Sequence, residues 1–117
     1  MAGLKMMKAL DVGAKEVSIE GARGVNIRWL ISKEDGAPGF AMRLFEVAPG
    51  GHSPLHSHDW EHEVYIVDGN GELEFDGKRR PFEKGWFILV PPGREHRFVN
   101  KGDGVMRFLC LVPNGSY

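Results

Sequence analysis

An all-β fold, a sandwich or barrel of short strands, is predicted by three features of this sequence. Glycine takes 16 of the 117 positions, against an ordinary share of roughly 7%, and seven prolines join it, so turns are frequent. Between the turns lie short runs rich in β-branched and aromatic residues, the composition that fits a pleated, half-buried surface. The turn signals recur about every 8 to 12 residues, as in antiparallel sandwiches and barrels.

Residues 1–15 read as an N-terminal arm. Leu4, Met7 and Leu10 have helical spacing, but Gly3 and Gly13 limit any helix to a turn or two. Residues 16–117 read as one barrel domain. Val25 to Ser32 is the first clear strand, stopped by the cluster Glu34-Asp35-Gly36-Ala37-Pro38-Gly39. Phe40 to Val47 returns and is expected to end at Ala48-Pro49-Gly50-Gly51. Glu63 to Val67 and Glu72 to Phe75 flank Asp68-Gly69-Asn70-Gly71, the strongest turn signal, since Gly and Asn tolerate positive φ. Asp76-Gly77 precedes a strand at Arg79 to Phe82, and Lys84-Gly85 precedes Trp86 to Val90, an apolar run that suits a buried strand. After Pro91-Pro92-Gly93 come Glu95 to Asn100 and Val105 to Val112, separated by Lys101-Gly102-Asp103-Gly104.

The overall balance excludes several functional classes. Fifteen Lys plus Arg against sixteen Asp plus Glu give a net charge of -1, so no global basic field exists to hold nucleic acid or an anionic membrane. No apolar run approaches the roughly 20 residues of a membrane span. The single cysteine, Cys110, cannot close an intrachain disulfide, which points to a reducing, cytoplasmic setting. Apolar residues make up 42% of the chain, enough for one real core.

Chemistry concentrates in the histidines. His56, His58 and His62 lie at offsets of two and four. In an extended chain, residues of equal parity share a face, so these imidazoles would converge inside a barrel while Glu61 and Glu63 point away. His96, on the strand after Pro91-Pro92-Gly93, would complete the site as a cross-strand neighbour. Neutral imidazole binds Zn, Cu, Fe, Ni or Mn; solvated loop histidines are the alternative. Pro54 separates His52 from the set, and His52 reads as a loop residue.

The residues around the histidines resemble the cupin family of small β-barrels. Its first motif, G-x5-H-x-H-x3,4-E-x6-G, aligns with Gly50, His56, His58, then His62 where the glutamate is expected, then Gly69. Its second, G-x5-P-x-G-x2-H-x3-N, matches at Gly85, Pro91, Gly93, His96 and Asn100. The resemblance implies a cupin double-stranded β-helix, or jelly roll, with one divalent metal ion per chain in the barrel mouth. At the departing position His62 keeps both the parity and the distance to Gly69, giving a four-histidine set like that of a subset of very small cupins; Glu63 is the alternative. Four imidazoles would leave a divalent site at +2 where a carboxylate ligand leaves +1, favouring anionic or bidentate oxygen ligands.

Manganese or iron is the expected metal, with Zn, Ni or Cu as options, because four ligands on a six-coordinate ion leave two positions open. A dioxygenase-type oxidoreductase acting on a small organic molecule is therefore expected. A non-redox isomerase or lyase and a non-catalytic binding module are the alternatives, since the barrel hosts many reactions. Strand parity nominates Arg43, Phe45, Phe98, Phe108 and Cys110 as pocket residues, with Trp60 as a gate. Arg43 stands out because a buried guanidinium needs an anion. Asn100 is expected to cap a turn. Open sheet edges and an arm bearing Lys5, Met6, Met7 and Leu10 predict a homodimer in which the arm covers an edge of the second copy.

Overall fold

A computed structural model describes residues 3–117; Met1 and Ala2 of the expected arm lie outside the described residues. Nine strands form: β1 (Lys15–Glu16), β2 (Arg23–Ile31), β3 (Phe40–His52), β4 (His62–Asp68), β5 (Asn70–Phe75), β6 (Lys78–Glu83), β7 (Phe87–Val90), β8 (His96–Asn100) and β9 (Met106–Pro113). Single 3-10 turns at Ala9–Asp11 and Lys33–Asp35 are the only helical pieces among the described residues. Every pairing is antiparallel, in the order β6-β5-β8-β3-β9-β4-β7, with β2 added to β3 and β1 to β2. No helix among the described residues is long and apolar enough to cross a membrane.

The long strand β3 joins the two halves of this curled sheet. Its first part, Phe40 to Val47, pairs with β9, and its last residue, His52, pairs with Val99 of β8. The expectation that the strand ends at Ala48-Pro49-Gly50-Gly51 is therefore corrected: these residues bend a continuous strand from one half to the other. Gly50 supplies a φ of 78°. At Gly51 an added Cβ would lie 2.5 Å from the Arg23 carbonyl oxygen, so only glycine lets β2 pass that close. The expected boundary between arm and barrel falls inside β1.

Alternation then sorts the side chains. Val47, Val64, Ile66, Phe82, Met106 and Phe108 point inward to a single core. Along β9 buried and half-buried residues alternate without a break. On the outer face Glu46 of β3 is held between Arg28 of β2 and Arg107 of β9, each donating from Nε at 2.8 Å. Burial raises the Glu46 carboxyl, but the two guanidinium groups outweigh it and hold its pKa below the usual range. This pairing locks β2, β3 and β9 together behind the site.

Candidate metal centre

The four histidines reach one place from different kinds of backbone. His96 opens β8 and His62 opens β4, opposite Val90 of β7. His56 forms an isolated antiparallel bridge with His96, through backbone bonds of 3.2 and 2.9 Å. Ser53 prepares that bridge: its N–H donates to the Phe98 carbonyl at 2.9 Å, and its Oγ accepts from the Phe98 N–H at 2.8 Å. The chain from Ser53 to His56 thus runs beside β8. Residues 57–61 then form an irregular loop, so the equal-parity argument for His56, His58 and His62 does not hold as stated. A bend replaces the extended strand, and the loop is tied down where the Gly93 N–H donates to the His58 carbonyl at 2.6 Å.

Ring centroids of His56 and His58 are 4.1 Å apart, His56 and His96 5.2 Å, His58 and His62 5.0 Å, and His62 and His96 5.2 Å. One ligand atom from each of His56, His58 and His96 falls within 4.8 Å of the others, the geometry of a candidate metal site. The two Nε2 atoms of His56 and His58 are 3.1 Å apart. His96 donates its Nδ1–H to the Arg94 carbonyl at 2.9 Å, which leaves Nε2 as its free ring nitrogen. In His62, Nδ1 contacts the Cys110 sulfur at 3.2 Å, and Nε2 is buried without a partner. An orphaned, buried imidazole nitrogen beside three clustered ones fits a cation in their midst. Glu63 alternates to the exposed outer face and cannot share the cavity with His62.

Burial pushes the His62 imidazole down to about 3 and His56 to about 4, and lowers His58 as well; neighbouring positive charge from Arg43 and the other histidines adds to each. These three rings are therefore neutral near pH 7, the form in which imidazole donates to a metal. His58 stacks on Trp60, with centroids 4.5 Å apart.

The histidines sit in a cavity of about 280 Å³ that also takes in the predicted Arg43, Phe45, Trp60, Phe98, Phe108 and Cys110. Phe108 stacks between Phe45 at 5.2 Å and Phe98 at 4.7 Å, forming a flat aromatic wall. The Arg43 guanidinium lies 5.0 Å from the Phe45 ring and 5.6 Å from that of Trp29, and its Nη2 donates to the Cys110 sulfur at 3.0 Å. Arg43 makes no ion pair among the described residues, and its Nε is buried without a partner. Burial raises the Cys110 thiol, although Arg43 beside it pulls the other way.

Sequence reasoning missed the far side of the cavity, where Val17, Ile27 and Tyr117 close it. Tyr117 packs 4.8 Å from Trp29, its hydroxyl accepting from the Lys33 N–H and donating to Asn114 Oδ1, both at 2.7 Å. Only the fold brings these segments together. His52, expected in a loop, instead ends β3, half-buried and outside the cavity. Asn100 caps as expected: its Nδ2 donates to the Val47 and Gly104 carbonyls, and its Oδ1 accepts from the Gly102 N–H.

Residues 43–112 match the cupin domain family. The chain belongs to the cupins. Among curated relatives, this cupin is 31% identical to the polyketide synthase CurC of Streptomyces cyaneus, over 94% of this chain and 75% of that protein. It is 29% identical to an oxalate-binding protein of Thermotoga maritima, over 92% of each. Among solved structures, the polyketide cyclase RemF of Streptomyces resistomycificus superimposes with a TM-score of 0.89 at 36% identity, covering 95% of this chain and 80% of that one.

Proposed function

We propose that this cupin holds one divalent metal ion on His56, His58, His62 and His96 and acts on a small, oxygen-rich, largely planar organic molecule that chelates the ion. The substrate class we assign is a β-dicarbonyl or polyketide-type compound, and the reaction class is non-redox carbon–carbon or carbon–oxygen bond rearrangement such as ring closure. The observation that carries this reading is the placing of four imidazoles at one end of an aromatic-walled cavity whose fixed positive group, Arg43, has no carboxylate partner. Similarity to two polyketide-pathway proteins and to an oxalate-binding protein supports the same ligand chemistry.

A bound divalent ion would polarise chelating carbonyl oxygens and make the C–H between them more acidic. The chain supplies the rest. The Phe45, Phe98 and Phe108 wall presents a flat apolar surface to a planar ligand and excludes water from it. Arg43 offers its guanidinium to the oxygen on which negative charge develops, in surroundings where such a bond is stronger than in water. Trp60, stacked on His58, flanks the metal cage.

The oxidoreductase reading, Mn or Fe with dioxygen as co-substrate, is the second one; the two positions left open by four ligands favour it. One experiment separates the two. Protein purified without a polyhistidine tag is analysed for metal, then incubated with linear poly-β-ketone mimics, diketones and phenols while oxygen uptake and products are followed. Ring-closed or isomerised product without oxygen uptake supports the first reading. Substrate-dependent uptake supports the second, and tight binding without turnover supports a binding module.

A further inference from the structure

We infer that Tyr117 sets the length of ligand that the histidine cavity admits: its ring is a fixed stop on the far side, so that compact planar molecules are taken in preference to extended ones. The inference rests on the reading above that a planar organic molecule enters this cavity, and it names the residue that limits that molecule's size.

The stop is built from the 3-10 turn Lys33–Asp35 inward. Ser32 caps that turn: its Oγ accepts from the Glu34 N–H at 3.2 Å, and Asp35 Oδ2 accepts from the Ser32 N–H at 2.9 Å. Lys5 of the arm pairs with the other Asp35 oxygen at 2.9 Å. A capped turn still has first-turn N–H groups with no internal partner. The Lys33 N–H is one of them, and the Tyr117 hydroxyl accepts from it at 2.7 Å. The same hydroxyl donates to Asn114 Oδ1 at 2.7 Å. Asn114 is itself tied to the connection between β2 and β3, donating from Nδ2 to the Ala37 carbonyl at 2.6 Å and from its N–H to the Gly39 carbonyl at 3.0 Å. Lys33 closes over the ring, with Nζ 4.8 Å from the centroid and donating to the Tyr117 main-chain oxygen at 2.8 Å. Segments outside the strands are ordinarily the looser parts of a domain, yet this side chain is held at its hydroxyl, its ring and its backbone.

The ring so held packs on Trp29, with centroids 4.8 Å apart and planes tilted by 47°, and it lines the cavity with Val17 and Ile27. Trp29 in turn brackets the Arg43 guanidinium together with Phe45, at 5.6 and 5.0 Å. Tyr117 therefore occupies space that a longer ligand would need and backs the indole beside the Arg43 charge. Its hydroxyl proton is committed to Asn114, so it meets a ligand by shape and not by donating a bond. The cavity measures about 280 Å³, at the small end of the roughly 300–1,000 Å³ of ordinary ligand pockets. In so small a space, the room taken by one phenol ring decides which molecules fit. Tyr117 also lies outside all nine strands, so truncating it cuts no sheet bond.

The test is equilibrium dialysis of the purified full chain with three rigid acids of growing length: benzoate, 2-naphthoate and anthracene-2-carboxylate. Tyr117→Ala is expected to bind the three-ring acid at least about tenfold more tightly than wild type, the scale on which fit in an apolar pocket discriminates, with benzoate changed less than about twofold. Tyr117→Phe, which keeps the ring and loses the hydroxyl, should keep the wild-type preference. An affinity ratio of three-ring to one-ring acid that stays at the wild-type value in Tyr117→Ala would overturn the inference, and so would an equal shift in Tyr117→Phe. A fall in affinity for all three acids in Tyr117→Ala would also overturn it, because the residue would then support the cavity and not limit it. The probes report size without turnover, so the ratio can shift while poly-β-ketone mimics fail to close, and the two readings fail separately.

Discussion

His62 and His96 stand on strands, whereas His56 and His58 stand on an irregular segment and its single bridge, and the two pairs are held in different ways. Each strand-borne ring is buried and has its Nδ1 engaged, by the Cys110 sulfur or by the Arg94 carbonyl, with Nε2 left toward the centre. The loop-borne rings are half-buried, lean on each other and on Trp60, and depend on the Gly93–His58 backbone bond for their position. A site built in this way has a rigid side and an adaptable side. Under the proposed metal binding, the strand-borne side would fix where an ion sits and the loop-borne side would adjust to it.

The largest effect should come from the rigid side. His96→Ala removes a ring and its ordered carbonyl contact at once, and metal affinity should fall by more than the roughly 10–100-fold typical of losing an outer-shell partner. His58→Ala should cost less, because the loop can offer water in its place. Competition titration of the two variants checks the order, and equal losses would erase the distinction between the pairs.

Next comes the sulfur that holds His62. Cys110→Ala should weaken metal binding by about 10–100-fold without unfolding the protein, since it leaves Nδ1 unpartnered but only a small void. Cys110→Ser, which keeps a hydrogen-bonding atom there, should recover part of the loss. Unchanged affinity in both would mean that ring orientation is set by packing alone.

A smaller effect concerns pH in the metal-free protein. Unfolded imidazoles take up a proton near about 6.5, but folded His56 does so only at about 4 and His62 at about 3. Below the unfolded value the unfolded chain holds more protons, so stability is full above it and declines as pH falls toward 4 and then 3. Urea midpoints between these values should show the decline, and His62→Gln should make it shallower. A slope identical to wild type would mean that His62 is not held neutral by burial. The smallest effect belongs to His52, outside the cavity: His52→Ala should leave metal affinity unchanged, and a loss would redraw the site.

The contrast between the pairs also explains what the sequence could reveal. His96 was legible because Pro91-Pro92-Gly93 ends one strand and the cupin motif sets the histidine three residues on, where β8 opens. The convergence of His56, His58 and His62 was foreseen for a reason that fails, since spacing fits an extended strand and a compact bend equally well; only the bridge to His96 decides between them. Arg43, Phe45, Phe98, Phe108 and Cys110 followed from strand parity, which is local. Tyr117 and Val17 could not follow from it, because they reach the cavity only through tertiary closure. The continuation of β3 through Pro49 was hidden for a similar reason: the residues that usually end a strand here bend one whose pairing partner changes midway. The apolar run Trp86 to Val90 reads as a buried strand, yet Phe87 is 83% and Leu89 61% exposed; β7 is an edge strand that buries one face alone, and composition does not tell an edge from a centre.

Whether His62 completes the cage is measured most directly by comparing metal affinity in His62→Ala and Glu63→Ala under one competition assay. Loss of binding in His62→Ala with wild-type affinity in Glu63→Ala is the result predicted here; an emptied site in Glu63→Ala with a full one in His62→Ala would contradict it.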